Sequence, residues 1–288
     1  MLELSIAIPA YNEEENIERT LRLLLAQDIS SLPVHLKEII VVSDGSTDRT
    51  DEIVQKITRE FPVVQLVRME ERSGKSAVVN RILGLVNTDV LAMFDSDTFT
   101  EPNCLRYLLE PLLYQPDIVG TSGRKIPYNR AIMPDAFWEV CHYFNLIAPK
   151  MSGSAMAFRN IVKTLPSNIV NDDMYIQIEL ERQGFKVAYI PQAIVKTVEP
   201  DTLSGYFRQR KRVYRGHLQL FKEENIRLPS VGMTVPAKAL FKAIKACPRK
   251  TFIFTLCSFL EIVIRVWALV EYYLSKRAPF VYPRSSRQ

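Results

Sequence analysis

The sequence predicts an α/β fold with an open, mainly parallel sheet, and two observations carry this prediction. Short runs rich in Val, Ile and Leu alternate with amphipathic segments through the first hundred residues, a pattern typical of strands covered on both faces by helices. Each of three apolar runs is followed at once by a polar cluster: PAYNE, SDGSTD or DSDT. Ligands bind at the carboxyl ends of the strands in such sheets, so these clusters are expected to converge into one site.

The individual elements follow from the same pattern. Strands are predicted at residues 4–9, 38–43, 63–68 and 90–94. After the first strand, the acidic residues 12–17 are expected in the first turn of a helix that runs through Leu25. Residues 47–52 are expected to cap a second helix, and further helices are predicted at 76–85 and 174–183.

Composition describes an ordinary folded chain. The 288 residues are 47% apolar and 24% charged, so the chain can bury a core and is not disordered. The net charge of +5 suits a phosphate-rich ligand or an anionic membrane surface. Four cysteines without C-x-x-C spacing and three scattered histidines predict neither a disulfide framework nor a zinc site, and they fit a reducing compartment. No cleaved signal peptide is expected, because the N-terminus lacks a basic start and an uninterrupted apolar stretch.

Asp95 and Asp97 stand one residue apart where the apolar run 90–94 ends. A period of two places both carboxylates on a common side of the chain as it leaves the sheet. Two such ligands suit a hard divalent cation, Mg²⁺ or Mn²⁺, which takes its other ligands from water and substrate phosphates. A capping Asp followed by a turn Asp gives the same spacing, so the pair alone leaves both interpretations open.

Seven ordered segments place these residues in a wider pattern. They are PAYNE at 9–13, VSDGSTD at 42–48, SGK at 73–75, DSD at 95–97, SGSAMAFR at 152–159, NDD at 171–173 and RQGFKVAYIP at 182–191. Through them, residues 3–220 resemble family 2 glycosyltransferases. The resemblance implies a GT-A fold, which is a Rossmann-like nucleotide-sugar-binding domain, and an inverting sugar transfer from a nucleotide-diphosphate sugar with Mn²⁺ or Mg²⁺ as cofactor.

The resemblance also implies roles for single residues. Asp44 matches the aspartate that holds the nucleotide base, and Pro9, Tyr11 and Glu13 match the segment that lines the same pocket. Lys75 matches a basic residue near the phosphates. Asp95 and Asp97 match the metal-binding pair, with Asp97 favoured as the direct ligand and Asp95 also near the donor. Asp173 matches the catalytic base, while the role of Asp172 stays open and both could also cap the helix that follows.

The basic segment 206–216 contains Gln209-Arg210-Lys211-Arg212-Val213, which resembles the Q-x-x-R-W motif of the cellulose-synthase-like members. The resemblance implies that Gln209 and Arg210 bind the nucleotide sugar and that Arg212 reaches the diphosphate, for which a planar fork of donors is suited. A solvated basic helix face is the alternative. Val213 replaces the motif's tryptophan, which favours a single transfer over processive polymer synthesis.

The C-terminal region changes character, and we predict a catalytic domain at 1–228 followed by membrane-associating helices at 229–288. Residues 251–274 are long and apolar enough for a transmembrane helix, with Glu261 and Arg265 four apart so that they can pair. A core helix of a soluble domain is the alternative. Residues 235–246 alternate lysines with apolar side chains, as in a helix lying in an anionic interface. We expect a membrane-associated protein with a cytoplasmic catalytic domain.

Membrane attachment favours a lipid-linked acceptor, a polyprenyl phosphate or a glycolipid, over a soluble one. Residues 124–149, with Tyr128, Trp138, His142 and Tyr143, are expected to shape the acceptor region, although these aromatics could equally be ordinary packing. The named pocket residues do not choose between UDP- and GDP-sugars, and no nucleic-acid partner is expected. The alternatives from other classes are a sugar-phosphate nucleotidyltransferase and a nucleotide-sugar-binding protein without catalysis.

Overall fold

The computed structural model describes residues 1–129, 131–167, 169–223 and 232–275. The strands in these residues are β1 Leu2–Ala10, β2 Val34–Asp44, β3 Val64–Met69, β4 Val90–Met93, β5 Thr98–Thr100, β6 Ile118–Pro127, β7 Met156–Arg159 and β8 Lys186–Thr197. The α-helices are α1 Ile17–Leu25, α2 Thr50–Glu60, α3 Lys75–Leu85, α4 Cys104–Tyr114, α5 Ile132–Ile147, α6 Asp172–Arg182, α7 Leu203–Glu223, α8 Thr234–Ala246 and α9 Thr251–Ser275.

The chain folds into two compact units. The sheet unit comprises residues 1–125, 150–167 and 172–197, and the helical unit comprises residues 126–149, 168–171 and the chain from 198 onward. The predicted division between residues 228 and 229 falls within 224–231, outside the described residues. Each unit is described separately below.

The strands form one eight-stranded mixed sheet in the order β3-β2-β1-β4-β7-β6-β8-β5. The pairs β2–β3, β1–β2 and β1–β4 are parallel, as predicted. The pairs β4–β7, β6–β7 and β5–β8 are antiparallel. The α/β prediction is therefore confirmed: β1 to β4 form a parallel part of the sheet, and β7 runs antiparallel to both of its neighbours.

Both faces of the parallel strands are buried, which explains their continuous apolar character. Residues alternate between two cores along β1, with Ile6 and Ile8 in one and Ala7 in the other, because side chains on a strand alternate sides. The first core includes side chains of α1, α2 and α4. The second includes side chains of α3 and α6. Helices thus cover the sheet on both sides, and the strand ends are left to the loops.

One predicted boundary is wrong. The acidic residues 12–16 precede α1 instead of forming its first turn, and the helix begins at Ile17. Asn12 has a positive φ of 53°, which is incompatible with a right-handed helix. The main-chain carbonyl of Glu13 accepts hydrogen bonds from the N–H groups of Asn16 and Ile17. The acidic segment is therefore a loop that follows the end of β1.

The helical unit contains α5, α7, α8 and α9. Its core includes Phe137 of α5, Tyr206 and Tyr214 of α7, and Phe254 and Ile264 of α9. Within the described residues one helical stretch, Pro248–Leu274, meets the length and composition expected of a membrane span, with a mean hydropathy of 2.1 in its apolar window. A buried helix of a soluble protein can meet the same criteria.

Candidate active site

The loops that follow β1 and β2 are joined through Asn12. Its main-chain N–H donates to Ser46 Oγ at 3.1 Å, and its side-chain Oδ1 accepts from the N–H of Thr47 at 2.8 Å. The left-handed backbone of Asn12 is tolerated because a short amide side chain can bond to nearby backbone in this conformation. The first two polar clusters therefore meet at the carboxyl edge of the sheet, as the sequence predicts.

Asp44 links the end of β2 to the segment that starts α3. Its two carboxylate oxygens accept hydrogen bonds from the N–H groups of Ser73, at 2.7 Å, and Gly74, at 2.9 Å, and the residue is buried. Gly45 has a φ of +65°, and an added Cβ would lie 3.0 Å from the main-chain nitrogen of Arg72. Asp44 thereby positions the loop that delivers Lys75, while its predicted contact with the nucleotide base stays a prediction.

Lys75 is the centre of the polar cluster in the sheet unit. Its Nζ lies 2.7 Å from Asp95 Oδ1 and 3.7 Å from Asp172 Oδ2. Asp95 follows β4, and Asp172 begins α6, so one ammonium group joins segments that are far apart in sequence. Ser154 Oγ donates to Asp95 Oδ2 at 3.5 Å. The side chain of Lys75 is 42% exposed, so part of it is accessible to a ligand.

Asp173 lies beside this cluster and is held by main-chain donors. Its Oδ2 accepts from the N–H of Gly153 at 3.1 Å, and its Oδ1 accepts from the N–H of Met174 at 2.7 Å. A Cβ at Gly153 would lie 2.9 Å from Lys75 Nζ and 3.5 Å from Asp95 Oδ1. Gly153 therefore leaves the space that allows the lysine and the carboxylates to approach one another.

The electrostatics of the cluster follow from three carboxylates around one ammonium group. Burial, opposed by the charge of Lys75 and reinforced by the charges of Asp173 and Asp95, raises the pKa of Asp172 to about 6. Burial alone would lower the pKa of Lys75, but Asp172 and Asp95 more than compensate and raise it above its ordinary value. Lys75 is therefore protonated at neutral pH, and Asp172 takes up a proton in mildly acidic solution.

Asp95 and Asp97 fit a divalent cation by the chemistry of their donors. They lie next to the C-terminal end of β4 and are both partly exposed. In the described residues no group of three or more His, Cys, Asp or Glu side chains is arranged as metal ligands. Mg²⁺ sites that act on phosphates use one or two carboxylates, together with water and the substrate's own oxygens, which matches this pair. Metal binding by Asp95 and Asp97 stays a prediction.

The residues predicted to line the nucleotide pocket lie near the end of β1 or on the loop that follows it. Tyr11 stacks under the Arg72 guanidinium, whose carbon lies 4.0 Å from the ring centroid. Glu13 is buried and accepts a hydrogen bond from the Asn16 side chain at 2.8 Å. Pro9 is partly exposed near the end of β1. The structure thus places Pro9 and Tyr11 where a ligand could contact them, whereas Glu13 also supports the start of α1.

The basic residues of the Q-x-x-R-W-like segment belong to the helical unit, on α7. Arg210 is buried and pairs with Glu261 of α9, with 3.2 Å between Nε and Oε1. The Arg210 charge is therefore compensated inside this unit, and its predicted contact with a nucleotide sugar stays a prediction. Gln209 is partly exposed and Arg212 is exposed. Asn171 Nδ2 donates to the Val213 carbonyl at 3.1 Å, which ties the first residue of NDD to α7.

The predicted acceptor segment, residues 124–149, includes the end of β6 and the whole of α5. Tyr128 is exposed, whereas Trp138 and Tyr143 pack partly against the core of the helical unit. The His142 ring contacts Tyr143 edge-on, with 5.0 Å between centroids. Packing thus accounts for part of this aromatic cluster, and a role in acceptor binding stays a prediction.

The structure gives roles to three residues that the sequence pattern did not assign: Arg72, Gly153 and Asp172. Arg72 contacts Tyr11, Gly153 leaves space beside Lys75, and Asp172 forms a salt bridge with Lys75. The available sequence signal for Gly153 was a glycine between two serines in the segment 152–159. No sequence pattern could show that Lys75 reaches a carboxylate 97 positions further along the chain.

Comparison with known proteins identifies the family. The sequence model of Glycosyl transferase family 2 matches residues 5–161, and that of Glycosyl transferase family group 2 matches residues 90–276. The first match alone includes more than half of the chain. The chain belongs to glycosyl transferase family 2. The matched residues include Asp44, Lys75 and both aspartates of the D-x-D pair.

This family 2 chain is similar to two curated bacterial proteins. It is 24% identical over 229 residues to a poly-beta-1,6-N-acetyl-D-glucosamine synthase of Staphylococcus aureus (strain COL), a match that includes 74% of this chain and 54% of the relative. It is 26% identical over 239 residues to the probable glycosyltransferase YdaM of Bacillus subtilis (strain 168), with 75% and 55% included. The chain therefore spans about half the length of these relatives.

Solved structures show the same fold as this family 2 chain. A mannosyltransferase of Pyrobaculum calidifontis in complex with GDP-Man and Mn²⁺ has a TM-score of 0.64 at 20% identity, over 94% of this chain and 75% of the other. Glucosyl-3-phosphoglycerate synthase of Mycobacterium tuberculosis, in complex with Mn²⁺, UDP-glucose and glycerol 3-phosphate, has a TM-score of 0.55 at 18% identity, over 81% and 83%. These likenesses confirm the predicted GT-A fold.

Proposed function

We propose that this chain is an inverting, metal-dependent glycosyltransferase that moves a single hexose from a UDP- or GDP-sugar to a lipid-linked acceptor at a membrane. The observation that carries the proposal is the cluster in which Lys75 joins Asp95 and Asp172 while Asp173 stands beside them. A cation and an oriented carboxylate at the carboxyl edge of the sheet are the groups that sugar transfer from a nucleotide diphosphate requires.

In this proposal a hydroxyl of a glycolipid, or a phosphate oxygen of a polyprenyl phosphate, attacks the anomeric carbon from the face opposite the nucleotide. The new carbon–oxygen bond forms as the bond to the diphosphate breaks, so the anomeric configuration inverts and the nucleoside diphosphate leaves. Asp173 takes the proton of the acceptor hydroxyl, and its two main-chain donors hold the carboxylate in one orientation. A positioned general base contributes about 10²- to 10⁴-fold in rate.

The charge that develops on the departing diphosphate is compensated by this chain's cations. Lys75 supplies a partly exposed ammonium group, and Asp172 holds it in place. We assign to Arg212, exposed on α7, a second contact with the phosphates, since guanidinium groups match phosphate oxygens. A divalent cation held by Asp95 and Asp97 would neutralise phosphate charge when bound.

The donor and acceptor classes rest on different kinds of support. GDP-Man and UDP-glucose are present in the complexes of the similar structures, and the Staphylococcus aureus relative is named for an N-acetylglucosamine polymer. The lipid-linked acceptor is supported by the apolar helix in Pro248–Leu274. Transfer of a single hexose is supported by Val213, which replaces the tryptophan of the Q-x-x-R-W motif.

The experiment is a nucleotide-release screen of purified protein in detergent. UDP- and GDP-sugars are supplied with Mn²⁺ or Mg²⁺, with and without polyprenyl-phosphate or glycolipid extracts. Release of UDP or GDP that needs both metal and lipid is the expected result. Release with soluble acceptors only would overturn the lipid-linked acceptor. Consumption of a nucleoside triphosphate with release of pyrophosphate would indicate a nucleotidyltransferase, and donor binding without turnover would indicate a binding protein.

A further inference from the structure

The outward face of α9 is a continuous apolar surface. We define the outer stripe by Phe252, Phe259, Val263, Val266 and Val270, all of which are exposed. At about 100° per residue these positions fall within an arc of about 60°. The three charged residues of α9 are Glu261, Arg265 and Glu271. Glu261 is buried, and Arg265 and Glu271 are partly buried. A long apolar surface without charge is unusual on a protein in water and indicates an interaction site.

The inward face of α9 packs on α7, and the pairing shows how the two helices run. Tyr206 near the start of α7 bonds to Glu261 at 2.6 Å, and Lys211 bonds to Glu271 at 2.7 Å. Lys222 near the end of α7 lies 4.0 Å from the ring centroid of Tyr273. Later residues of α7 therefore meet later residues of α9, and the two helices lie side by side in the same direction.

This pairing is costly for a helix that crosses a bilayer. If α9 crossed, α7 would share its depth, together with Arg208 and Arg212, which are exposed. A single Arg or Lys at the centre of a membrane helix is strongly unfavourable. With α9 parallel to the surface, the same side chains stay on the water side of the helix pair, while the outer stripe enters the apolar layer.

The neighbouring helix supplies the charge that an anionic surface would attract. Lys238, Lys242 and Lys245 of α8 are all exposed, as are Arg249 and Lys250, and residues 234–250 contain no acidic residue. Phe241, between these lysines, is also exposed. Each basic side chain near an anionic bilayer strengthens binding to it. Apolar and basic side chains together are typical of helices that lie in a lipid interface.

We infer that α9 docks lengthwise on an anionic bilayer through the outer stripe, with the basic side chains of α8 and residues 249–250 beside it, and does not cross the membrane. The inference states how the chain contacts the membrane, and it rests on the proposed function at a membrane. Its readout is lipid binding, which is measured without any sugar donor. Failure of docking and failure of catalysis are therefore separate results.

The first test is flotation of the purified full chain with vesicles of phosphatidylcholine alone or with phosphatidylglycerol. We expect binding to the anionic vesicles that weakens with salt. Val266→Asp in the outer stripe should reduce the bound fraction at least tenfold, whereas Tyr114→Asp, an exposed aromatic on α4, should bind as the native chain does. Absence of binding, together with a dimer in analytical ultracentrifugation that Val266→Asp abolishes, would assign the stripe to a second copy and overturn the inference.

The second test measures depth. Single tryptophans at 252, 263 and 270, in a chain with Trp138→Phe and Trp267→Phe, are quenched by lipids brominated at different acyl positions. Lengthwise docking predicts one shallow depth for all three tryptophans. A crossing helix would place position 263 deep, between two shallow ends, and that result would overturn the inference even if the vesicles bind the protein.

Discussion

Each unit of this chain contains a charged cluster, and the two clusters have opposite compositions. In the sheet unit one ammonium group, Lys75, lies among the carboxylates Asp95, Asp172 and Asp173. In the helical unit one carboxylate, Glu261, receives hydrogen bonds from Arg210, Tyr206 and Tyr214. The first cluster has excess negative charge and a partly exposed cation, whereas the second is buried and rich in donors.

The two clusters differ in the role that charge plays: the first can bind a ligand, and the second holds two helices together. A buried carboxylate that is paired and hydrogen-bonded fixes one packing arrangement, and Glu261 holds α7 against α9 in this way. A partly exposed cluster of titratable groups with shifted pKa values is a candidate ligand site. We therefore expect substitutions in the first cluster to change activity more than stability, and substitutions in the second to do the reverse.

The largest expected effect is on turnover in the sheet unit. Asp173→Asn removes the proposed base while keeping the shape of the side chain, and we expect nucleotide release to fall by about 10²- to 10⁴-fold. The free energy of unfolding should change by less than about 1 kcal/mol, the usual range for sites outside the core. Asp117→Asn is the matched control, because Asp117 is highly exposed in the same unit. A loss of stability without a loss of turnover would contradict the comparison.

The second effect is on stability in the helical unit. Glu261→Ala leaves the Arg210 guanidinium buried without its partner, and breaking a buried pair in this way costs about 3–5 kcal/mol. Urea denaturation followed by circular dichroism measures it. Glu271→Ala, on the same helix, removes a more exposed pair with Lys211 and should cost about 1 kcal/mol or less. Equal losses of unfolding free energy for the two variants would show that the Glu261 cluster is not the main interaction stabilising the helical unit.

The smallest expected effect is a change in the unfolding free energy with pH. The pKa of Asp172 is raised from 3.8 to about 6 in the folded chain, so the folded state binds this proton more tightly than the unfolded state does. The resulting stabilisation is complete below about pH 4 and is lost as the pH rises through about 6. Relative to Asp172→Asn, the native chain should therefore lose on the order of 1–3 kcal/mol of unfolding free energy between pH 4 and pH 8.

The control for this titration is again Asp117→Asn, whose stability should follow that of the native chain across the same range. Urea midpoints with unchanged slopes give the free energies. Parallel curves for the native chain and Asp172→Asn would mean that Asp172 does not take up a proton in this range.

Much of the sheet unit could be predicted because the evidence for it is local. Continuous apolar runs identify buried strands, and polar residues after β1 and β2 must meet where parallel strands end together. The family resemblance named Lys75, Asp95 and Asp173 as neighbours of one ligand. The prediction was wrong at residues 12–16, where the acidic composition predicted a helical turn. Asn12 has a left-handed backbone conformation, and the segment forms a loop.

The sequence by itself determined the parallel half of the sheet, the convergence of its loops and the apolar character of α9, because each depends on periodicity within a short segment. Only the tertiary structure decided that Lys75 joins Asp95 to Asp172, and that Glu261 pairs with Arg210 of α7 when Arg265, four residues away, was the expected partner. Such pairings depend on which helix packs against which. The face that α9 turns outward is fixed in the same way, because α7 supplies partners for its charged side chains and leaves the apolar stripe exposed.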